Sequence, residues 1–224
     1  MEKDKIVIIG GKGTAVVVAE QIEDAVCRFG KNLEVLGFAF DDPNFGDTIN
    51  GYPILCHTYE AFEKYKKYKD VFYIFQMYRP DLIKERIKLR DSYNIPLNKY
   101  YNFIHPSVML SKSVKMGYGN TILANSVLDC NVLIGNFNTF HSNVLVSHDT
   151  VIGNSNFFAG HSCIGSNIEI DNGCFLGLNS SVKNFSRIGN YNLIGMGANV
   201  LQSFKANNVI IGNPARVLRE NYEK

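Results

Sequence analysis

Large apolar residues recur at every sixth position along the second half of this 224-residue chain, without an insertion. The members of this register are Ile104, Leu110, Met116, Ile122, Leu128, Ile134, Phe140, Val146, Ile152, Phe158, Ile164, Ile170, Leu176, Val182, Ile188, Ile194 and Val200. A period of six matches neither the 3.6-residue repeat of an α-helix nor the two-residue alternation of one strand. It is typical of a parallel β-helix built from hexapeptide repeats, in which each repeat supplies one short strand and one corner.

The residues between the apolar positions fit such corners. Glycine or another small or acidic residue often follows the apolar one, which we expect to leave room for a tight corner. Asn is abundant, and it tolerates left-handed backbone conformations better than most residues. If three repeats form one triangular turn, residues eighteen apart stack into internal columns. One such column is Leu128, Val146, Ile164, Val182 and Val200.

The first hundred residues follow a different pattern. A β-branched run at 5–9 leads into a glycine turn and then into a helix-compatible segment from Thr14 to Phe29. Further apolar runs at 33–40 and 71–75 are separated by helical stretches at 59–69 and 81–93. This alternation predicts an α/β domain with a small parallel sheet and crossover helices. We expect three parts: an α/β domain over 1–100, the β-helix over 101–205 and a cap over 206–224.

Two polar features are expected at the carboxyl ends of the predicted strands, where ligands bind to parallel sheets. The loop that contains Gly10, Lys12, Gly13 and Thr14 precedes the first helix, and helix N-terminal N–H groups bind phosphate oxygens. The loop also fits a plain turn, because it lacks the full dinucleotide fingerprint. The pair Asp41 and Asp42 fits either contacts to ribose or a base edge or a solvated strand end.

Chemistry in the β-helix centres on His148. It is followed by Asp149, and a carboxylate beside an imidazole fixes its tautomer and raises its basicity, as a general base requires. The alternative is a surface histidine at a corner. Because no loop interrupts the repeats, a site must be formed by the faces of the prism or by neighbouring chains.

A metal site is not expected in the β-helix. Stacked ligands would be eighteen or a multiple of eighteen residues apart, whereas His141, His148 and His161 are separated by 7 and 13. Neither a cysteine nor a carboxylate pair completes a tetrahedral set. At the end of the repeats, Gly212-Asn213-Pro214-Ala215-Arg216 marks a turn. Arg216 fits phosphate binding, an end cap, or both.

Composition excludes several classes of function. The net charge of +2 and pI near 8.2 lack the concentrated basic patches of nucleic-acid-binding proteins, so we expect a small-molecule partner and no nucleic acid. Five cysteines without a CxxC spacing favour neither a disulfide framework nor zinc. The start MEKDKIVIIGG resembles neither a signal peptide nor a membrane span, so we expect a cytoplasmic protein without membrane insertion.

Several motifs together resemble one family. They are the glycine turn after the first strand, Gly37-Phe38 leading to Asp41-Asp42, Ile104-His105-Pro106-Ser107, the hexapeptides, Ser147-His148-Asp149 and Gly212-Asn213-Pro214-Ala215-Arg216. The chain resembles, over nearly its whole length, the bacterial sugar O-acyltransferases related to sialic acid O-acetyltransferases. Close relatives of that family N-acetylate nucleotide-linked amino sugars in bacillosamine and perosamine pathways.

The resemblance implies a Rossmann-like domain followed by a left-handed β-helix, assembled as a homotrimer with acetyl-CoA in the groove between prisms. It implies His148 as the general base and Asp149 as its partner. Coenzyme contacts would fall on Leu178, Met196 and Arg216. Acceptor contacts would fall on Gly10, Lys12, Gly13, Thr14, Asp41, Asp42 and His141. Transfer would be direct, without an acyl-enzyme.

The chain departs from the family in four places. Thr14, Phe157 and His141 stand where relatives often have His, His and Asn, and Gln76-Met77-Tyr78-Arg79 replaces a glycine-asparagine run. These differences fall mainly on nucleotide and sugar recognition. We therefore expect an acetyltransferase acting on a nucleotide-linked amino sugar. The alternatives are O-acetylation of sialic acid or another sugar hydroxyl, and a non-catalytic trimeric scaffold.

Overall fold

The computed structural model describes residues 3–42, 44 and 46–221, and its first part is a five-stranded sheet with helices. The strands are β1 (Asp4–Ile9), β2 (Leu33–Ala39), β3 (Thr48–Ile49), β4 (Tyr52–Cys56) and β5 (Val71–Phe75), and the helices are α1 (Thr14–Phe29), α2 (Ala61–Tyr65) and α3 (Ile83–Ser92). The order across the sheet is β3-β4-β2-β1-β5. All neighbours are parallel except β3, which pairs antiparallel with β4.

Two local predictions in this part were wrong in detail. The helix predicted over 59–69 is a 3₁₀ turn (Thr58–Glu60) followed by the short α2. The β3–β4 hairpin was missed, although Asn50-Gly51 is a hairpin signal. Both residues have positive φ, 48° and 83°, as a type I′ turn requires.

The predicted hexapeptide register is confirmed: each repeat ends a two-residue strand. These strands are β6 (Phe103–Ile104), β7 (Met109–Leu110), β8 (Lys115–Met116), β9 (Thr121–Ile122), β10 (Val127–Leu128), β11 (Leu133–Ile134), β12 (Thr139–Phe140), β13 (Leu145–Val146), β14 (Val151–Ile152), β15 (Phe157–Phe158), β16 (Cys163–Ile164), β17 (Glu169–Ile170), β18 (Phe175–Leu176), β19 (Ser181–Val182), β20 (Arg187–Ile188), β21 (Leu193–Ile194) and β22 (Asn199–Val200).

Strands three repeats apart pair in parallel, which forms a prism with three faces. Face one contains β6, β9, β12, β15, β18 and β21; face two contains β7, β10, β13, β16, β19 and β22; face three contains β8, β11, β14, β17 and β20. The predicted column from Leu128 to Val200 lies inside face two, and all five members are at least 96% buried. In the first coil the column is open, because Leu110 is 38% exposed.

The corners use two different backbone solutions. Every sixth residue from Gly119 to Gly197 has a positive φ, and most of these positions carry Asn or another non-glycine residue. The glycines that directly follow the apolar residues serve another purpose. A Cβ on Gly135 would lie 2.5 Å from Asn154 Oδ1 and 2.6 Å from Gly153 O of the next coil. These glycines therefore permit close stacking of the coils, while the left-handed turn lies two residues later.

Two asparagine ladders connect the coils where face three turns into face one. In the buried ladder, Asn138 donates from N and Nδ2 to Asn120 Oδ1, and Asn156 does the same to Asn138. An outer ladder repeats this pattern through Asn136, Asn154 and Asn172. Each amide thus satisfies backbone and side-chain groups one coil away, so the ladders fix the register along the prism.

The repeats end in an antiparallel hairpin of β23 (Asn208–Ile211) and β24 (Arg216–Glu220), which extends face one beyond β21. Phe204 bridges to Ile188 and is 8% exposed, so it closes the end of the apolar core. The hairpin gives the last coil a twisted, partly covered edge. This is the location predicted for the end cap.

The N-terminal sheet packs on face one. Gln76 Nε2 donates to Thr121 Oγ1 at 3.0 Å and to Thr139 Oγ1 at 3.3 Å. Beside it, the ring of Tyr78 stacks on Phe157 with a centroid distance of 4.8 Å. Thus the Gln76–Arg79 segment, which departs from the family pattern, packs its first residues against the β-helix.

A polar chain fixes α1 to the first coil. Asp24 Oδ2 lies 3.0 Å from His105 Nε2, and His105 Nδ1 lies 2.7 Å from Ser107 Oγ. This order of groups is that of a Ser-His-Asp triad, but His105 is only 3% exposed and Ser107 Oγ also accepts a hydrogen bond from Asn125 N. Desolvation opposes the shift, yet the hydrogen bonds from His105 and Arg28 hold the pKa of Asp24 below its usual value. The chain is a structural link between the two parts.

The two kinds of glycine should respond differently to substitution. We expect Gly135→Ala to lower the free energy of unfolding by about 1–3 kcal/mol, because the added methyl would overlap backbone of the next coil. Gly197, with φ of 65° and open space around its Cβ position, is the control. Gly197→Asn should be near neutral, since Asn tolerates this conformation. Urea denaturation measures both; equal losses would contradict the distinction.

Candidate active site

His148 and Asp149 form a hydrogen-bonded pair at the corner between faces two and three. His148 Nδ1 lies 2.7 Å from Asp149 Oδ2, and both side chains are nearly half exposed, at 49% and 44%. A carboxylate oxygen is an acceptor, so the pair selects the tautomer with the proton on Nδ1. Nε2 is then left with its lone pair available, which is the arrangement a general base requires.

Asp149 is itself held from the other side. Asn131, one coil earlier, donates from Nδ2 to Asp149 Oδ1 at 2.9 Å. Asp149 has a φ of 57°, which belongs to the left-handed position shared by all these corners. The hydrogen bond from His148, together with that from Asn131, holds the pKa of the Asp149 carboxyl below its usual value. The carboxylate therefore stays ionised at neutral pH and orients the imidazole.

The predicted coenzyme residues Leu178 and Met196 lie on successive coils at the corner between faces one and two. Both are unusually exposed for apolar side chains, at 52% and 77%. Gly197 N donates to Leu178 O at 2.8 Å, which joins the two coils at this point. Together they form an apolar edge on one side of face two, while His148 lies on the other side.

His141 lies at the same corner, in an earlier coil. A Cβ placed on Gly160 would be 3.9 Å from His141 Nδ1 and 3.6 Å from Leu178 Cδ2, so the glycine leaves a gap between these side chains. Burial lowers the pKa of His141, which favours the neutral imidazole. His141 is therefore near the apolar edge and suited to accept or donate one neutral hydrogen bond.

The glycine loop and Asp42 meet at the carboxyl ends of β1 and β2. Lys12 Nζ lies 2.7 Å from Asp42 Oδ2. This hydrogen bond, with one from Asn44 N, holds the pKa of Asp42 below its usual value. Gly13 caps α1 with a φ of 54°, and Thr14 begins the helix. A cleft of about 200 Å³ lies beside this loop and reaches the Gln76–Arg79 segment.

Asp41 has a structural role next to this cleft. Its carboxylate accepts from Thr58 N at 2.8 Å and from Thr58 Oγ1 at 2.7 Å, and it lies 3.3 Å from His57 Nδ1. These contacts anchor the 3₁₀ turn before α2. A second cleft of about 220 Å³ is lined by Asp41, Asp42 and His57, among others. The two aspartates thus sit between neighbouring clefts, and each already holds internal partners.

The predicted residues form separate groups within one chain. The N-terminal contacts are to face one and its flanking corners, whereas His148 is at the corner opposite that face. In the part of the chain that the structure describes, no contact joins His148 to the glycine loop. Arg216 is on β24, exposed, with Nη1 donating to Ala215 O. A complete site within a single prism is therefore excluded by the topology.

Sequence reasoning missed Phe185. It lies at the same corner as Asp149, two coils further on, with a φ of 64° and 77% of its surface exposed. An exposed aromatic residue in a left-handed conformation is uncommon and marks a position worth testing for function. The available signal was its place in the six-residue register, where most corners carry Asn.

Two negative findings apply to residues 3–42, 44 and 46–221. No group of three or more His, Cys, Asp or Glu side chains is arranged to hold a metal ion. Within the same ranges, no helix has both the length and the apolarity needed to cross a bilayer.

Comparisons with known proteins identify the fold. No family model and no curated protein sequence matches the chain. Solved structures do match, at low identity and nearly full length. The PglB acetyltransferase domain from Neisseria gonorrhoeae, in complex with acetyl coenzyme A, has a TM-score of 0.82 and 18% identity, covering 96% of this chain and 100% of that one.

Two further structures agree. PerB from Caulobacter crescentus, in complex with CoA and GDP-perosamine, has a TM-score of 0.79 and 22% identity, covering 95% of this chain and 96% of that one. WeeI from Acinetobacter baumannii has a TM-score of 0.77 and 24% identity, with 95% and 99% covered. The chain therefore has a parallel-strand architecture that matches the left-handed β-helix acetyltransferases.

The ionisation of Asp149 should depend on Asn131. We expect Asn131→Gly to raise the Asp149 pKa towards its usual value, because one of its two hydrogen-bond donors is lost. Carboxyl ¹³C NMR titration measures it. Asn167→Gly is the matched control, one coil beyond Asp149 at the same corner position with a φ of 57°. An equal change in both variants would contradict the assignment.

Proposed function

We propose that this protein is an acetyl-CoA-dependent acetyltransferase that acetylates the amine of a nucleotide-linked amino sugar, for surface glycan synthesis. The observation that carries the proposal is the His148–Asp149 pair, with Nε2 exposed and available, on a fold that matches enzymes solved with acetyl-CoA or with CoA and GDP-perosamine. A carboxylate-oriented imidazole at a solvent-facing corner is suited to base catalysis.

The chemistry is a direct transfer. The acceptor nitrogen attacks the thioester carbonyl while His148 Nε2 takes the proton that the amine gives up. The new C–N bond forms as the C–S bond breaks, and the proton held by His148 balances the one that the released thiol gains. Asp149 stabilises the imidazolium that forms between these events. His141, neutral and near the apolar edge, is proposed to contact the sugar.

The coenzyme is proposed to lie along face two. Leu178 and Met196 offer exposed apolar surface for the pantetheine arm, which is otherwise unexplained on a soluble surface. Arg216, exposed on β24, is proposed to contact a coenzyme phosphate. The fit rests on these residues alone: apolar edge, guanidinium and base lie around the same face of the prism.

The nucleotide part of the acceptor is proposed to bind the N-terminal domain, taken as Rossmann-like over residues 1–100, with the β-helix over 101–205 and the cap over 206–224. Gly10, Gly13 and Thr14 border the N-terminus of α1, where a phosphate is favoured. Lys12 adds a positive charge there. Asp42, and Asp41 through its outward edge, are proposed to contact ribose or base.

A homotrimer follows from the position of His148. Because the N-terminal sheet covers face one and His148 lies at the opposite corner, we propose that His148 of one protomer faces the cleft of a neighbour. Exposed apolar side chains on both sides of face two, Leu178 and Met196 on one and Phe185 on the other, support contact between prisms.

Removal of the base should abolish most of the activity. We expect His148→Ala to reduce CoA thiol release with UDP-, GDP-, dTDP- or CMP-linked amino sugars by about 10²–10⁴-fold, while calorimetry still detects acetyl-CoA binding. Cys130→Ala, one coil earlier at the same corner, is the control. No acceptor-dependent release by the wild type, or undiminished release by His148→Ala, would refute the proposal. Absence of saturable acetyl-CoA binding would favour a scaffold.

The nature of the acceptor atom is tested on the product. An amide resists alkali, whereas an ester from O-acetylation is hydrolysed, so alkali treatment of the labelled product separates the two. We expect a resistant product. Release of acetate would instead identify sialic acid or another sugar hydroxyl as the acceptor.

The shared site should allow complementation between subunits. Co-expression of Lys12→Ala and His148→Ala chains should give mixed trimers with more activity than either variant alone, because some interfaces combine an intact cleft with an intact base. Sedimentation should report a mass about three times the 25.2 kDa chain. A monomer, or no recovery in mixed trimers, would argue against the intersubunit site.

A further inference from the structure

Arg86 on α3 is the unusual charge of the cleft beside the glycine loop. This cleft of about 200 Å³ is lined by backbone of Gly10 and Gly11 and by three cationic side chains, Lys12, Arg79 and Arg86. Lys12 is paired with Asp42 at 2.7 Å. Arg79 is paired with Asp81 through two bonds, of 3.1 and 2.5 Å. The first two cations are therefore already engaged by carboxylates of the same chain.

Arg86 lacks such a partner among the described residues. Its guanidinium forms neither an ion pair nor a side-chain hydrogen bond there, and its Nε is shielded from solvent without an acceptor. A shielded N–H of a charged group that lacks an acceptor is unfavourable in a folded protein. Nothing in the packing of α3 explains it: the nearby carboxylate Asp81 is committed to Arg79. A ligand that supplies an oxygen acceptor would satisfy it.

The surroundings select the kind of acceptor. The floor of the cleft is close-packed backbone, because a Cβ on Gly10 would lie 2.7 Å from Gln76 O and one on Gly11 would lie 2.6 Å from the Phe40 ring. The floor therefore offers main-chain groups rather than side chains, next to the N-terminus of α1. A guanidinium fork opposite a helix N-terminus fits the separated oxygens of a diphosphate.

We propose that Arg86 binds the diphosphate of the acceptor substrate and is the specificity-determining residue for it, an inference that rests on the proposed function. Arg86 accounts for the altered strand end in this chain: Gln76 and Tyr78 are committed to face one, and the charge that recognises the ligand comes from α3 instead. The ligand class is a nucleoside diphosphate or its sugar conjugate. A sugar carboxylate is the competing anion.

Calorimetric titration of the full-length protein tests this, with UDP, GDP and dTDP as probes and the corresponding nucleosides as phosphate-free controls. We expect Arg86→Gln to weaken binding of the preferred diphosphate by about tenfold or more and to leave nucleoside binding unchanged. Arg86→Lys should be intermediate, since it keeps the charge and loses the fork. Lys88→Gln, an exposed cation on the same helix, should have no effect.

Thermal unfolding separates recognition from a structural role. Because Arg86→Gln removes an unsatisfied charged group, its melting temperature should equal or exceed that of the wild type. A lower melting temperature with equal losses for diphosphate and nucleoside would overturn the inference. So would unchanged diphosphate affinity in Arg86→Gln, no diphosphate binding by the wild type, or Arg86-dependent binding of N-acetylneuraminate without binding of diphosphates.

Kinetics distinguish this inference from the proposed function. In acceptor-dependent CoA release, Arg86→Gln should raise KM for the nucleotide sugar and leave kcat within about twofold, since binding energy lost in substrate and transition state alike appears in KM. If acetyl transfer occurs and KM is unchanged, the inference fails alone. If diphosphates bind through Arg86 and no sugar is acetylated, the proposed function fails while the diphosphate site stands.

Discussion

Parallel pairing of residues eighteen apart is the constraint on which this molecule depends. Each coil contributes only two residues to each face, so no single strand is stable by itself. Stability comes from stacking, and stacking requires that every coil have the same length. The left-handed residue at each corner, the glycines that admit the next coil and the asparagine ladders all maintain that length. A residue inserted anywhere would move apolar side chains out of the core.

This constraint explains why the β-helix was predictable from the sequence. The six-residue register names the inward residue of every strand, and burial follows it from Ile122 to Val200. The role of the glycines was less visible, because sequence alone does not separate a glycine needed for positive φ from one needed for close approach. The exposed first coil was not visible either, since Leu110 has the same pattern as its buried equivalents.

The candidate site was predictable only in its local pairs. His148 and Asp149 are adjacent in sequence, so their contact needs no fold to be inferred. Asn131, eighteen residues earlier, follows from the coil length. By contrast, Arg86 has no motif, and its significance comes from a missing partner in three dimensions. Likewise the Asp24–His105 contact joins residues far apart in sequence, and no periodicity relates them.

The polar chain of Asp24, His105 and Ser107 has a geometric consequence. It fixes α1, and with it the glycine loop, to the first coil, whereas His148 belongs to a later coil of the same rigid stack. Since stacked strands are about 4.8 Å apart, the prism acts as a ruler with one graduation per coil. Adding or deleting one eighteen-residue turn between Ser107 and His148 would keep every corner intact and move the imidazole by one graduation. Coil number would therefore match the reach between base and nucleotide anchor to the length of a substrate.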